Sequence, residues 1–154
     1  MADRSGEIPG GDHEFFMRRC MDLAIIAGQR GDSPVGSIIV RSGEIIAEGI
    51  EGGRTHRDIT FHAEIEAIRR ATEAAEAVDL ASCILYTTHE PCIMCSYVIR
   101  QMKIGTIVMA LTTGEIGGYS SVYPILLDRS IRKWGDPPTV VTGVLADECR
   151  ALHR

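Results

Sequence analysis

Apolar and polar positions along this chain repeat with two different periods, and the switches between them mark out its elements. Residues 12–29, DHEFFMRRCMDLAIIAGQ, carry apolar side chains at helical spacing, with Asp12 placed to cap the start. Residues 35–50, VGSIIVRSGEIIAEGI, read as a hairpin, two β-rich runs around RSGE. Residues 60–78 return to helical spacing, with Thr60 as the expected cap. SCILYTT at 82–88 is a short buried strand, and PCIMCSYVIRQM at 91–102 puts Pro91 at the favoured first position of a helix. GTIVMAL and TVVTGVL supply two more strands, and ADECRAL a short last helix. The predicted order is α-β-β-α-β-α-β-(α)-β-α. Strands interleaved with helices imply a sheet covered on both faces, a three-layer α/β/α sandwich. Long loops are expected at 51–59 and 112–121. The second, TTGEIGGYSS, is rich in glycine but lacks the spacing of a phosphate loop.

Composition narrows the class. The chain has 154 residues, enough for one domain with a substantial core. The expected division is a flexible polar tail at 1–11, without the apolar stretch of a signal peptide, and a single domain at 12–154. No run of about 18 apolar residues suggests a membrane span, so a cytoplasmic protein is expected. The net charge of −5 argues against a broad nucleic-acid surface. The Arg pairs at 18–19 and 69–70 and the DRSIRK segment read as solvated helix faces. Five cysteines are an odd number with two close together, which suits metal or catalytic use better than a disulfide framework. Cys20, Cys83 and Cys149 stand singly in apolar patterns and read as core thiols.

The candidate chemistry lies in two short stretches. Cys92 and Cys95 are three apart at a helix start, so they share a face, and the positive helix end favours thiolate. His62 and Glu64 open another helix. Three readings fit these residues. The cysteines could be a redox pair. They could form a closed structural zinc site with His62 and, as fourth ligand, His89. Or His62, Cys92 and Cys95 could hold one zinc with its fourth position open for a catalytic water, as catalytic zinc sites require. In that third reading Glu64, two residues from a ligand, is placed to move the water's proton, which supplies the parts for hydrolytic attack on a C–N bond. His13, His56 and His153 are expected on the surface or in loops, and Glu66 and Glu73 on a solvated helix face.

The pair HAE (62–64) and PCIMC (91–95) resembles the signature of the zinc-dependent nucleobase and nucleoside deaminases, the cytidine deaminase superfamily. EPC followed by MC, and TGVLADEC near the end, look like the tRNA adenosine deaminase and guanine deaminase branch. The likeness covers most of residues 14–152. It implies a five-stranded mixed sheet in an α/β/α fold, one zinc per chain on His62, Cys92 and Cys95, Glu64 as acid and base, and a homodimer. The implied reaction replaces an exocyclic amine by a carbonyl and releases ammonia.

One departure bears on the substrate. Members of this branch usually carry an Asn after the second strand that binds the base ring. Glu51 stands there, and the sequence contains no asparagine. Asn donates and accepts hydrogen bonds, whereas an ionised Glu only accepts. A purine N7, itself an acceptor, would be left unpaired against it. A ring edge bearing N–H or a second amino group would suit it. The acidic balance, and TTGEIGGYSS where a basic turn is usual, lean the same way. The expected substrate is therefore a small aminated heterocycle: a base, nucleoside, pterin or triazine-like ring. His89, Tyr119 and Tyr123 are candidate wall residues. The competing readings are wobble adenosine deamination in tRNA and a non-enzymatic metal or redox module.

Overall fold

The computed structural model describes residues 10–76 and 79–153. Its elements, in chain order, are α1 (Gly10–Gln29), β1 (Gly36–Arg41), β2 (Glu44–Ile50), α2 (Ala63–Ala75), β3 (Cys83–His89), α3 (Ile93–Gln101), β4 (Thr106–Leu111), β5 (Thr139–Val141) and α4 (Ala146–Ala151). Two single 3-10 turns, Ile125–Leu127 and Arg132–Trp134, lie between β4 and β5. The sheet order is β2-β1-β3-β4-β5. β1 runs antiparallel to β2 and β3, while β3, β4 and β5 are parallel. The hairpin turns on Ser42 and Gly43, both at positive φ (52° and 80°), the twist that a two-residue hairpin needs.

Alternation along the strands builds a core on each face. Ile38, Val40, Tyr86 and Val108 face α1 and α4, where they meet Phe16, Met17, Cys20 and Cys149. Their neighbours Ile39, Leu85, Ile107 and Met109 face α2 and α3, where they meet Ala67, Ile68, Ala71 and Ile99. The expected three layers and mixed five-stranded sheet are present. Cys20, Cys83 and Cys149 are buried free thiols, as their apolar surroundings predicted.

Several boundaries differ from expectation, each for a local reason. The tail expected over 1–11 lies, up to residue 9, outside the described residues; Gly10 and Gly11 already belong to α1. Asp12 therefore sits inside the first turn, where it offsets the helix dipole. Thr60 does not cap α2, because its hydroxyl and N–H both bond to Asp58 Oδ1 (2.7 and 2.9 Å). His62 is the cap residue instead, in extended conformation. Pro91 precedes the helix, since the chain stays extended through Cys92 and α3 begins at Ile93. The last strand is cut to three residues, followed by positive-φ backbone at Gly143 and Leu145. Glu66 is buried, with Arg69 3.1 Å away, while Glu73 is exposed as expected.

The long connection after β4 is held by a side chain. Arg100 of α3 is 1% exposed and donates to three carbonyls: Ile125 (2.9 Å), Asp128 (2.8 Å) and Gly135 (3.2 Å). Its guanidinium lies 5.0 Å from the Trp134 ring centre, a cation–π contact.

Gly49 lets β2 approach the start of α2. A Cβ there would overlap the Ala63 carbonyl oxygen and come within 2.7 Å of the Ala67 nitrogen, both backbone atoms that cannot swing aside. Gly49→Ala is expected to cost about 3 kcal/mol in urea unfolding, the range of an overpacked core. A change within experimental error would show that α2 can back away from β2 freely.

Candidate active site

Strand register gathers the site at one edge of the sheet. Gly36 pairs with Ile50 and Ser37 with Thr87, so the start of β1 and the ends of β2 and β3 lie together. This is the edge where the parallel strands end, the usual place for sites in α/β sheets. The loop after β2 is folded back on itself. Gly52 N–H donates to the Phe61 carbonyl (3.0 Å), and the His56 ring stacks on Phe61 at 3.9 Å. Buried Asp32 accepts the N–H groups of Arg54 (2.8 Å) and Thr55 (3.0 Å). The closed loop delivers His62 to the front of α2, while β3 delivers Cys92 and Cys95 to the front of α3.

His62 Nδ1 lies 3.4 Å from Cys95 Sγ and 3.6 Å from Cys92 Sγ, and the three ligand atoms fall within 4.8 Å of one another. A tetrahedral zinc with ordinary Zn–S and Zn–N bonds puts its sulfur and nitrogen ligands about 3.5 Å apart. The donor set and its spacing therefore fit zinc. His89 does not join this group of ligand atoms; its ring packs edge-on against His153 with centres 5.1 Å apart. Among the described residues a fourth protein ligand is thus lacking, and the set has the open form of a catalytic site. A hydrogen bond from Cys95, with help from His62, lowers Cys92 to about 4, while the Cys92 partner and burial push Cys95 well up.

Glu64 is fully buried beside the ligands, with Oε1 3.8 Å from Cys95 Sγ. Burial pushes its carboxyl up to about 7. Thr87, which receives the Ser37 hydroxyl (2.9 Å), points its own hydroxyl toward Glu64 Oε2 (3.4 Å) and the His89 carbonyl (3.0 Å). A cavity of about 290 Å³ opens in front of Glu64, His62 and Cys92.

A cytidine and deoxycytidylate deaminase zinc-binding region is matched over residues 11–111. The chain belongs to that family. It is a zinc-dependent deaminase, a hydrolase of C–N bonds. The tRNA-specific adenosine deaminase of Aquifex aeolicus is 36% identical over 124 residues, 79% of this chain and 82% of that one. The guanine deaminase of Bacillus subtilis is 46% identical over 85 residues, 54% of each chain. Among solved structures, one from work on tRNA:A34 deaminases at the wobble position superposes with a TM-score of 0.81 at 31% identity, covering 90% of this chain and 98% of that one. The deaminase family takes the place of the redox and non-enzymatic readings.

The other expected residues divide. Glu51 and His89 line the cavity with His62, Cys92 and Glu64. Burial pushes the Glu51 carboxyl up, against the pull of His62. Tyr119 and Tyr123 stand outside. Tyr119 reaches the site only through its backbone N–H, its side chain packing on the α2–α3 core, and Tyr123 is exposed along a separate groove. His153, expected on the surface or in a loop, is exposed in a turn and also borders the cavity, as do Glu90, Thr113 and Ile116, which were not expected to. For Glu90 a signal existed, its place beside Pro91 and Cys92; for His153 only the fold brings the chain end to the site.

His62→Ala is expected to leave the protein folded with its zinc content, by atomic emission, reduced from about one per chain to near zero. Glu64→Gln, which removes no ligand atom, keeps the metal. Loss of zinc from Glu64→Gln, or retention in His62→Ala, would overturn the ligand set.

Proposed function

We propose that this deaminase acts on a small aminated heterocycle that presents N–H donors to Glu51. The carrying observation is the cavity wall. It holds three carboxylates, Glu51, Glu64 and Glu90, and its lining among the described residues includes neither Lys nor Arg. At about 290 Å³ it suits one ring, at the lower end of small-molecule sites. RNA binding draws its affinity from cations set against phosphates. An acidic site in a chain of net charge −5 offers little of that. A ring with an N–H or amino edge would instead satisfy Glu51 and be held with its amine toward Glu64.

Zinc, when bound, supplies the Lewis acidity that makes water a nucleophile near neutral pH. Glu64 takes up a proton and returns it to the departing amine. A carboxyl with a near-neutral pKa, buried out of bulk water, exchanges a proton in both directions at little cost. Thr87, held by Ser37, keeps that carboxyl aimed. His89 and His153 wall the ring on the far side. The tRNA reading is supported by the close superposition on a structure from the tRNA deaminase work and by the 36% identity to the tRNA-specific adenosine deaminase of Aquifex aeolicus. A flipped base would also fill the cavity, so volume does not separate the two; the acidic wall is what favours the small ring.

The chain is further proposed to pair with a second copy of itself. A groove floored by Ile93 and Trp134 runs beside the site and is rimmed by exposed Tyr123, Leu127 and Ile131. Ile93 directly follows the ligand Cys92, so a copy seated there would adjoin the site. The free thiols suit a reducing compartment, and the proposal places the enzyme in the cytoplasm. No helix among the described residues is long and apolar enough to cross a membrane.

The direct test is ammonia release from the zinc-loaded enzyme on guanine, adenine, cytosine, their nucleosides, aminopterins, aminotriazines and a tRNA anticodon stem. Turnover of a donor-edged ring is expected, with kcat/KM falling about 30-fold or more in Glu51→Asn and kcat about 10²–10⁴-fold in Glu64→Gln. Turnover of the anticodon stem alone would make the tRNA reading correct. Light scattering is expected to give twice the chain mass, and Ile131→Asp to halve it; a monomeric wild type would remove the pairing.

A further inference from the structure

The glycine-rich loop 112–121 supplies Thr113 and Ile116 to the cavity, yet it contains no regular structure of its own. Glu90, between β3 and Pro91, accounts for its path. This carboxylate is 3% exposed and takes four loop donors. Oε1 accepts the Thr113 N–H (2.9 Å) and the Ser120 hydroxyl (2.6 Å), and Oε2 accepts the N–H groups of Tyr119 and Ser120 (2.8 Å each). Among the described residues no Lys, Arg or His forms an ion pair with it. Its charge is met by loop donors alone, the arrangement of an anion nest closed around an internal anion.

The loop is also stitched to the ligand segment. Gly118 N–H donates to the Pro91 carbonyl (2.8 Å), and Ile93 N–H to the Ile116 carbonyl (2.9 Å), on either side of Cys92. Gly117 and Gly118 make this approach possible. A Cβ on Gly117 would overlap Glu90 Oε2, and one on Gly118 would overlap the Ser96 hydroxyl. Four donors need four acceptor sites, and an ionised carboxylate has them. An amide or a protonated acid would turn a donor toward a donor.

We propose that Glu90 is the positioning residue of this active site: its ionised carboxylate holds loop 112–121 shut over the cavity and against Cys92. It borders the cavity, but all four of its hydrogen bonds go to the loop, so it acts through Thr113, Tyr119 and Ser120 and the backbone on either side of Cys92. The proposal rests on the cavity being the substrate site. Its test uses no substrate, so its failure is distinct from failure of the donor-edge reading.

The test is amide hydrogen exchange by NMR on the zinc-loaded protein. In Glu90→Gln the amides of Thr113, Tyr119 and Ser120 are expected to lose protection about tenfold or more, while those of Ile38 and Leu85 in the sheet keep theirs. In Glu90→Ala, acetate is expected to restore loop protection and acetamide is not, because only the anion fills the nest. Should both Glu90 variants fail to fold, Gly117→Ala, which drives the carboxylate out with Glu90 intact, is expected to free the same three amides alone. Unchanged loop protection, equal rescue by acetate and acetamide, or loss of loop and sheet protection together would overturn the proposal.

Discussion

His62 Nδ1 and Cys95 Sγ stand 3.4 Å apart although 33 positions separate them in the chain. That contact is possible only because two helices start at the same edge of one sheet. The antiparallel hairpin turns β2 back so that it ends where β3 ends. Gly49 then lets α2 lie close on β2, and the closed loop 51–61 brings His62 to the front of α2. β3 runs directly into the ligand segment. A shift of one residue in the β1–β3 register would turn the strand faces over and part the histidine from the thiols. The metal site is thus a reading of sheet register, and the two cores that fix the register also hold the chemistry.

Much of this was legible in the sequence. Strand alternation separated the two core faces at Ile38 and Ile39, and at Leu85 and Tyr86. The H-x-E and P-C-x-x-C stretches carried the ligands because each is set by local helix geometry. What the sequence misjudged depends on competition between partners. Thr60 is a good cap residue, but Asp58 is nearer. Pro91 suits a helix start, but its carbonyl serves Gly118 instead. Tyr119 and Tyr123 have the right chemistry for a ring wall, but Gly117 and Gly118 turn the loop so that the first tyrosine faces the core and the second faces out. His153 came unannounced because its place follows from the packing of α4 on the sheet, which no nearby residue records.

Carboxylates recur around the site with different duties. Asp32 and Glu90 each collect loop donors, and both are held below the ordinary carboxylate range by those hydrogen bonds, against burial. Glu51 and Glu64 have fewer partners, and burial moves both up. The first pair shapes the two loops that flank the cavity; the second pair lines the cavity with few donors of its own to meet. Acidic residues here are thus sorted by how many donors each one meets.

Arg100 has a consequence of a different kind. It grips the segment between β4 and β5 through carbonyl oxygens of Ile125, Asp128 and Gly135. A carbonyl is the same in every residue, so apart from the Trp134 ring over the guanidinium this grip does not read side chains. Where no side chain is engaged, the stretch it fastens can change composition and keep its course through space, whereas Trp134 is tied to Arg100 and Gln101. Novelty in this enzyme's surroundings can accumulate there while the metal ligands stay where they are.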